Sequence, residues 1–316
     1  MRMKKNLWLQ LEPLLGEWQI KSVIVRQGSC VTDEWHASGR DTLEPIYSCT
    51  KSALSALFGF ALQDGSVRSL EQPVSDFFAG KAFADPKEEE RWSGIRIRHL
   101  LTMTPGFDWP DFDKPYKPFR ASSDPIGFVL TRPLRHEPGE AFTYNSGASH
   151  LLSAILTQAT GMPAHRYGKE RLFEPLGFRA VRWSARDGIC EGGTGMALYG
   201  HDLAKLGALY MQGGLWEGRR LLPEEWISES TRMHHKALLH YKPPVYGGYG
   251  YHWWCSPKAH NGCADSYFAF GHGGQYLLVV PEAELVIVVR KKITKRNDAI
   301  LSRKLIYDYI VPRFAR

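Results

Sequence analysis

No stretch of this chain approaches the roughly 18 consecutive apolar residues that a membrane-spanning helix needs. Residues 1–18 carry Lys4 and Lys5 but only short apolar pieces, broken by Gln10, Glu12, Pro13 and Glu17. A secretory signal requires a continuous apolar core, so the expectation is a cytoplasmic protein without a membrane span. Cysteine is scarce: five residues, at 30, 49, 190, 255 and 263, an odd number with no C-x-x-C pair. That excludes a dense disulfide framework and a cysteine zinc site and leaves reduced thiols as the expectation. Only Cys255 and Cys263, which flank an expected turn, are placed to pair under oxidation. The 12 histidines show no H-E-x-x-H or comparable ligand spacing, so no metal is implied. Low-complexity tracts and fixed repeats are also missing, which sets aside disorder and solenoid architectures.

What is present suits one large domain or two lobes: 316 residues, 43% hydrophobic and 12% aromatic. The net charge of +7 raises the question of an anionic partner. The densest basic stretch is Arg290, Lys291, Lys292, Lys295 and Arg296, followed by Arg303 and Lys304. It lies between an apolar strand pattern and a C-terminal helix, without interleaved aromatics and without any nucleic-acid module. It reads as a solvated face, and no nucleic-acid partner is expected.

Ile20 to Arg26 and Cys30 to Trp35 are β-rich runs around Gln27-Gly28-Ser29 and predict a hairpin. From Ser48 the pattern becomes SCTKSALSALFGFALQDG, apolar at Ala53, Leu54, Leu57, Phe58, Ala61 and Leu62, a buried amphipathic helix stopped near Gly65. Further helices are expected over Ile97–Met103, Ser149–Ala159, His201–Met211 and Pro223–Met233, joined by Pro- and Gly-rich loops such as 105–118. Strand patterns return at Tyr249–Cys255, Ser266–Phe270, Gln275–Val280 and Leu285–Arg290, before a helix from about Asn297 to Ile310. A lone hairpin is marginal in water, so the early strands should pair with the late ones into one sheet flanked by the first and last helices. Residues 1–65 and 246–316 then form an α/β lobe and residues 66–245 a mainly helical lobe, with a cleft between them.

Four segments carry chemistry. Ser48-Cys49-Thr50-Lys51 places S-x-x-K at a helix start, where backbone N–H groups and the positive end of the dipole favour a developing oxyanion. Three residues on, Lys51 returns to the same face. The plain alternative is a capping serine and a surface lysine. Tyr144-Asn145-Ser146-Gly147 precedes the helix ASHLLSAILTQATG and can present a phenol from a rigid turn. Beside a lysine such a phenol becomes a proton acceptor, the alternative being a buried tyrosine with its hydroxyl satisfied. Gly271-His272-Gly273-Gly274-Gln275 lies between two strands, where glycines permit close approach and Gln275 N–H can serve as an oxyanion donor. The alternative is an ordinary glycine turn. His99 to Gly106 reads as a helix ending at Pro-Gly. Trp92, Trp109, Trp253 and Trp254 are candidates either for the cleft or for the core.

In this order the segments resemble the serine β-lactamase and penicillin-binding-protein-like family, including class C β-lactamases, related carboxylesterases and 6-aminohexanoate-dimer hydrolases. The likeness runs from about Ser22 to Val289. It includes HLLTMTPG at 99–106, YNSGASHLLSAIL at 144–156, LFEPLGF at 172–178 and GHGGQYLLVVPE at 271–282. The resemblance implies an α+β fold, an antiparallel sheet flanked by helices with an inserted helical lobe, and a two-step acyl transfer without metal or organic cofactor. Ser48 would be the nucleophile, Lys51 the proton shuttle and Tyr144 the base, with Ser48 and Gln275 N–H as the oxyanion hole. Two departures stand out. The place two residues after the tyrosine, often Asn in the family, holds Ser146, with Asn145 one earlier. Where β-lactamases have Lys-Thr-Gly this chain has His272-Gly273-Gly274, without a fixed cation or a hydroxyl for a substrate carboxylate. The expected substrate is a small ester or amide. A β-lactamase or D-amino-acid peptidase is the alternative, and a non-catalytic binding relative is the reading of a different class.

Overall fold

Val23, Ile24 and Val25 are consecutive and all fully buried, and every residue of Leu285–Lys291 is buried too. Strands that are apolar at successive positions need cover on both faces. The structure, a computed structural model, describes residues 5–78, 90, 92–109, 114–238, 246–294 and 299–314. Its main sheet has eight strands: β1 (Ile20–Gln27), β2 (Cys30–His36), β3 (His235–Lys236), β4 (Gly248–Tyr249), β5 (Trp254–Ser256), β6 (Ser266–Gly271), β7 (Gln275–Val280) and β8 (Leu285–Lys291). Their spatial order is β3-β4-β5-β6-β7-β8-β1-β2, and all neighbours are antiparallel. The early hairpin joins the late meander through β1 and β8, with Val23 opposite Val289 and Val25 opposite Ile287. The expected α+β architecture is therefore present.

Cover on the two faces comes from both ends of the chain and from its middle. Helix α1 (Lys5–Glu17) packs on β1, burying Leu7, Trp8, Leu11 and Leu15. The sequence reading assigns no element there, and Pro13 lies inside the helix. Burial of a helically spaced apolar stripe, with the Trp8 indole donating to Asp33 on β2, outweighs the hydrogen bond that proline forfeits. Helix α2 (Thr50–Gln63) follows the Ser48 turn, α4 (Ser146–Thr160) packs beside it, and α3 (Ile97–Leu101) packs on α4. Helix α5 (Gly200–Met211) comes from the segment expected to be mainly helical, yet lies on β1, β7 and β8. The C-terminal helix is described from Ile300 to Phe314, with a wider π-type stretch at Leu305–Ile310. Asn297, like Lys295 and Arg296, lies outside the described residues.

Two expectations change. The strand expected over Tyr249–Cys255 is split into β4 and β5 because His252 adopts a positive φ of 61°, which extended backbone does not allow. The basic run is not a solvated face throughout, since Arg290, Lys291 and Arg303 are buried. Arg290 ion-pairs with Asp41 at 2.6 Å and also donates to Ser22 Oγ, Thr42 O and Leu198 O. Its guanidinium is tolerated inside because these N–H groups find acceptors.

Candidate active site

A single tight turn, Tyr47–Cys49, carries Ser48 into the start of α2. Tyr47 has φ 48°, a left-handed conformation that costs a non-glycine residue energy and turns the chain sharply ahead of Ser48. One turn into the helix, Lys51 is 1% exposed. Its Nζ donates to Ser48 Oγ at 3.2 Å, to Ser146 Oγ at 3.2 Å and to Gly193 O at 2.8 Å. The alternative of a surface lysine is excluded. An ammonium buried to this degree needs such acceptors, and they come from three separate segments of chain.

Gly193 can deliver its carbonyl only because it is glycine. A Cβ there would stand 2.6 Å from Ser146 Cβ, against the first turn of α4. Ser146 is itself buried on that turn. Asn145, expected with Ser146 in the substrate-facing group, is wholly buried and caps α4: Oδ1 accepts from Ala148 N at 2.6 Å and Nδ2 donates to Thr143 O at 2.8 Å. Its amide is committed to the backbone at both ends, as befits an N-cap.

Tyr144 immediately precedes this cap. Its ring lies under Lys51 Nζ, 4.8 Å from ammonium to ring centre, and stacks on Trp254 at 5.5 Å. Tyr249 meets it edge-on at 6.2 Å, and burial, with Tyr144 close by, pushes the Tyr249 phenol well above its ordinary range. The segment 99–106 braces the approach to Tyr144, since Met103 O accepts from Thr143 N at 2.8 Å.

The turn between β6 and β7 closes the other side. A Cβ on Gly271 would collide with Ile46 O, so glycine lets the end of β6 press against the Ser48 turn. Cys49 Sγ donates to Gln275 O at 3.7 Å, which holds the start of β7 beside the same turn. The Gln275 side chain points elsewhere, bonding Lys291 O at 2.9 Å and His272 O at 3.2 Å. His272 is exposed and meets Tyr47 edge-on at 5.9 Å, with Gly273 and Gly274 forming the turn beside it at positive φ.

Several contributors escape the sequence reading. Gly193 carries a signal in the sequence, the glycine cluster at 192–195. His252 carries none. It is buried, its Nδ1 donates to Leu101 O at 2.9 Å, and Ser149 Oγ donates to its Nε2 at 3.0 Å. A carbonyl can only accept, so the neutral tautomer with the proton on Nδ1 is set. Burial, then the Lys51 charge, pushes this imidazole down to about 3. Ser52 Oγ donates to His252 O at 2.7 Å, so one residue ties α2, α3 and α4 together beneath Lys51. All four tryptophans named above are core residues, and Trp254 serves the site as the support of the Tyr144 ring. Cys255 and Cys263 are separate thiols directed at Thr231 O and Tyr307 O. Beside Ser146 and Gly193 a small recess opens, walled by Tyr116, Phe119, His150 and Arg186.

No helix among the described residues is long and apolar enough to cross a membrane. Over 315 residues the chain is 23% identical to the 6-aminohexanoate-dimer hydrolase of Paenarthrobacter ureafaciens, covering 88% of this chain and 74% of that protein. Among solved structures it superposes on the hydrolase EstCE1, described as having promiscuous acyltransferase activity, with TM-score 0.76 and 16% identity over 97% of this chain and 98% of that one. It also superposes on a penicillin-binding protein from Bacillus halodurans, with TM-score 0.68 and 18% identity over 93% and 98%. A D-stereospecific amidohydrolase from Streptomyces gives TM-score 0.69 and 16% identity over 96% and 98%. The Beta-lactamase family model matches residues 22–306, a span that takes in the Ser48 turn, the Tyr144 cap, the β6–β7 turn and the sheet that holds them, and the chain belongs to that family of hydrolases.

Proposed function

We propose that the protein is a serine hydrolase that cleaves a small ester or amide through an acyl-enzyme on Ser48. One observation carries this reading: a buried Lys51 ammonium 3.2 Å from Ser48 Oγ and 4.8 Å from the centre of the Tyr144 ring. Ser48 Oγ attacks the substrate carbonyl and gives up its proton to Tyr144, whose phenolate form the Lys51 charge favours. The tetrahedral oxyanion takes hydrogen bonds from Ser48 N–H and Gln275 N–H. Collapse expels the alcohol or amine, which receives the proton through Tyr144 and Lys51. Water then attacks the acyl carbonyl by the same route in reverse and restores Ser48. The residues of this scheme need no metal or cofactor.

The substrate class follows from His272. Where a fixed cation would grip a carboxylate, an exposed imidazole stands against Tyr47, and Gly273 offers no hydroxyl. Charge-assisted hydrogen bonds are roughly twice as strong as neutral ones, so neutral esters and amides should be better substrates than penicillins. We read the chain as one catalytic domain, in which the sheet-bearing ends, 1–65 and 246–316, face across the cleft the part of the 66–245 segment other than α5 and β3, which belong with the sheet. The test is a fluorophosphonate probe followed by peptide mass mapping. Labelling of Ser48, and its loss in Ser48→Ala, is the expected result. A folded protein that is not labelled belongs with non-catalytic relatives.

A further inference from the structure

Glu34 and His36 stand two apart on β2, so they project from the same face of an edge strand. Far along the sequence, His201 lies in the first turn of α5. The fold brings the three together: Glu34 Oε2 is 3.2 Å from His36 Nε2 and 2.8 Å from His201 Nε2, and the three ligand atoms lie within 4.8 Å of one another. The imidazole centres are 6.3 Å apart, with planes inclined at 40°. A tetrahedral zinc ion with bonds of about 2.0–2.2 Å spaces its ligand atoms about 3.3–3.5 Å apart. Only small side-chain shifts separate the observed cluster from that spacing.

The frame that holds these side chains is rigid on both sides. Ser22 is the strand partner of His36, and Ile24 that of Glu34. Ser22 Oγ accepts from Arg290, and Arg290 ion-pairs with Asp41 at 2.6 Å. The Asp41 carboxylate then accepts from Gly200 N and His201 N, both at 3.0 Å, which caps α5 and sets the backbone of His201. One buried ion pair thus fixes β1, beneath the two strand ligands, and the helix turn that carries the third.

We propose that Glu34, His36 and His201 form a binding site for a divalent transition-metal ion of the zinc class, which clamps edge strand β2 to the start of α5. Two imidazoles and one carboxylate suit borderline metals and are a poor set for calcium or magnesium, which prefer oxygen. The Glu34 and His201 side chains are 45% and 33% exposed, so the remaining coordination positions face solvent and take water. On binding, each Nε2 gives its lone pair to the metal, and a neutral ring carries its proton on Nδ1. The Nδ1 of His36 is buried without a hydrogen-bond partner. That ring lacks the outer N–H bond that strengthens many histidine ligands, and the expected affinity is about 10–100-fold weaker than in sites that have it. The ion would stabilise the folded chain by mass action and block an exposed sheet edge.

Calorimetric titration of the EDTA-treated, full-length protein with zinc chloride tests this. The expected result is one zinc per chain, a thermal midpoint that rises with zinc, and affinity weakened roughly tenfold or more in Glu34→Gln and in His201→Ala. His201→Ala removes a partly exposed side chain, and far-ultraviolet circular dichroism without metal confirms its fold. Ester hydrolysis by metal-free His201→Ala should match that of the metal-free parent. Absence of saturable binding at up to about 1 mM zinc overturns the proposal, and so does binding unchanged in both variants, which would place the ion on other groups such as the free thiols.

Discussion

The ammonium of Lys51 lies over the face of the Tyr144 ring, 4.8 Å from its centre, while Trp254 stacks on that ring at 5.5 Å. Tyr144 thus has two separable parts, a ring that packs and a hydroxyl proposed to move protons. Tyr144→Phe keeps the ring and should lower kcat/KM by about 10²–10⁴ with little change in thermal midpoint. Tyr144→Ala should lose both activity and stability, the latter by about 3–5 kcal/mol. Equal activity in Tyr144→Phe and the parent, measured on a p-nitrophenyl ester, would remove the hydroxyl from the mechanism.

Gly193→Ala is expected to damage the site from a distance in sequence. The new methyl would press on Ser146 Cβ at 2.6 Å and push away the carbonyl that Lys51 holds at 2.8 Å. Overpacking of this kind costs about 1–3 kcal/mol, and the fall in kcat should exceed any rise in KM. Denaturant unfolding and steady-state kinetics on the same preparation check both parts.

Three buried histidines make stability sensitive to acid before the carboxylates do. His99 and His150 are pushed down to about 4 and His252 to about 3, chiefly by burial. Below about 6.5 the unfolded chain binds protons that these folded sites refuse, so the unfolded state gains on acidification. Their contribution is complete above about pH 6.5 and is lost as pH falls toward 4 and then 3. Urea midpoints should therefore drop between pH 7 and pH 4.5. His252→Asn should flatten that drop, since asparagine accepts the left-handed backbone at φ 61° and does not titrate there. A midpoint independent of pH over this interval would show that the imidazoles are not the cause.

His272→Lys should raise kcat/KM for an ester bearing a carboxylate relative to its neutral analogue, because a permanent cation replaces an imidazole at the exposed end of the β6–β7 turn. The measurement is the ratio between the two esters. Efficient nitrocefin hydrolysis by the unaltered protein, comparable with its best ester, would return the assignment to β-lactamase.

The parts of this protein legible in its sequence are those whose physics is local. The hairpin around Gly28 follows from β-rich runs and a turn, and the pairing of Ser48 with Lys51 follows from the helical period, which returns a side chain to the same face after one turn. What period and propensity leave open is decided by contacts between remote segments. Pro13 argues against α1, yet burial on β1 forms it. Arg290 reads as a solvated charge and is buried against Asp41, and His252 reads as part of a strand and instead breaks it to join three helices. Gly193 completes the Lys51 environment from a loop, and His201 meets Glu34 and His36 only because α5 lies across β1. Each of these outcomes depends on which polar group finds a partner once water is excluded, and that is set by packing in three dimensions rather than by neighbours along the chain.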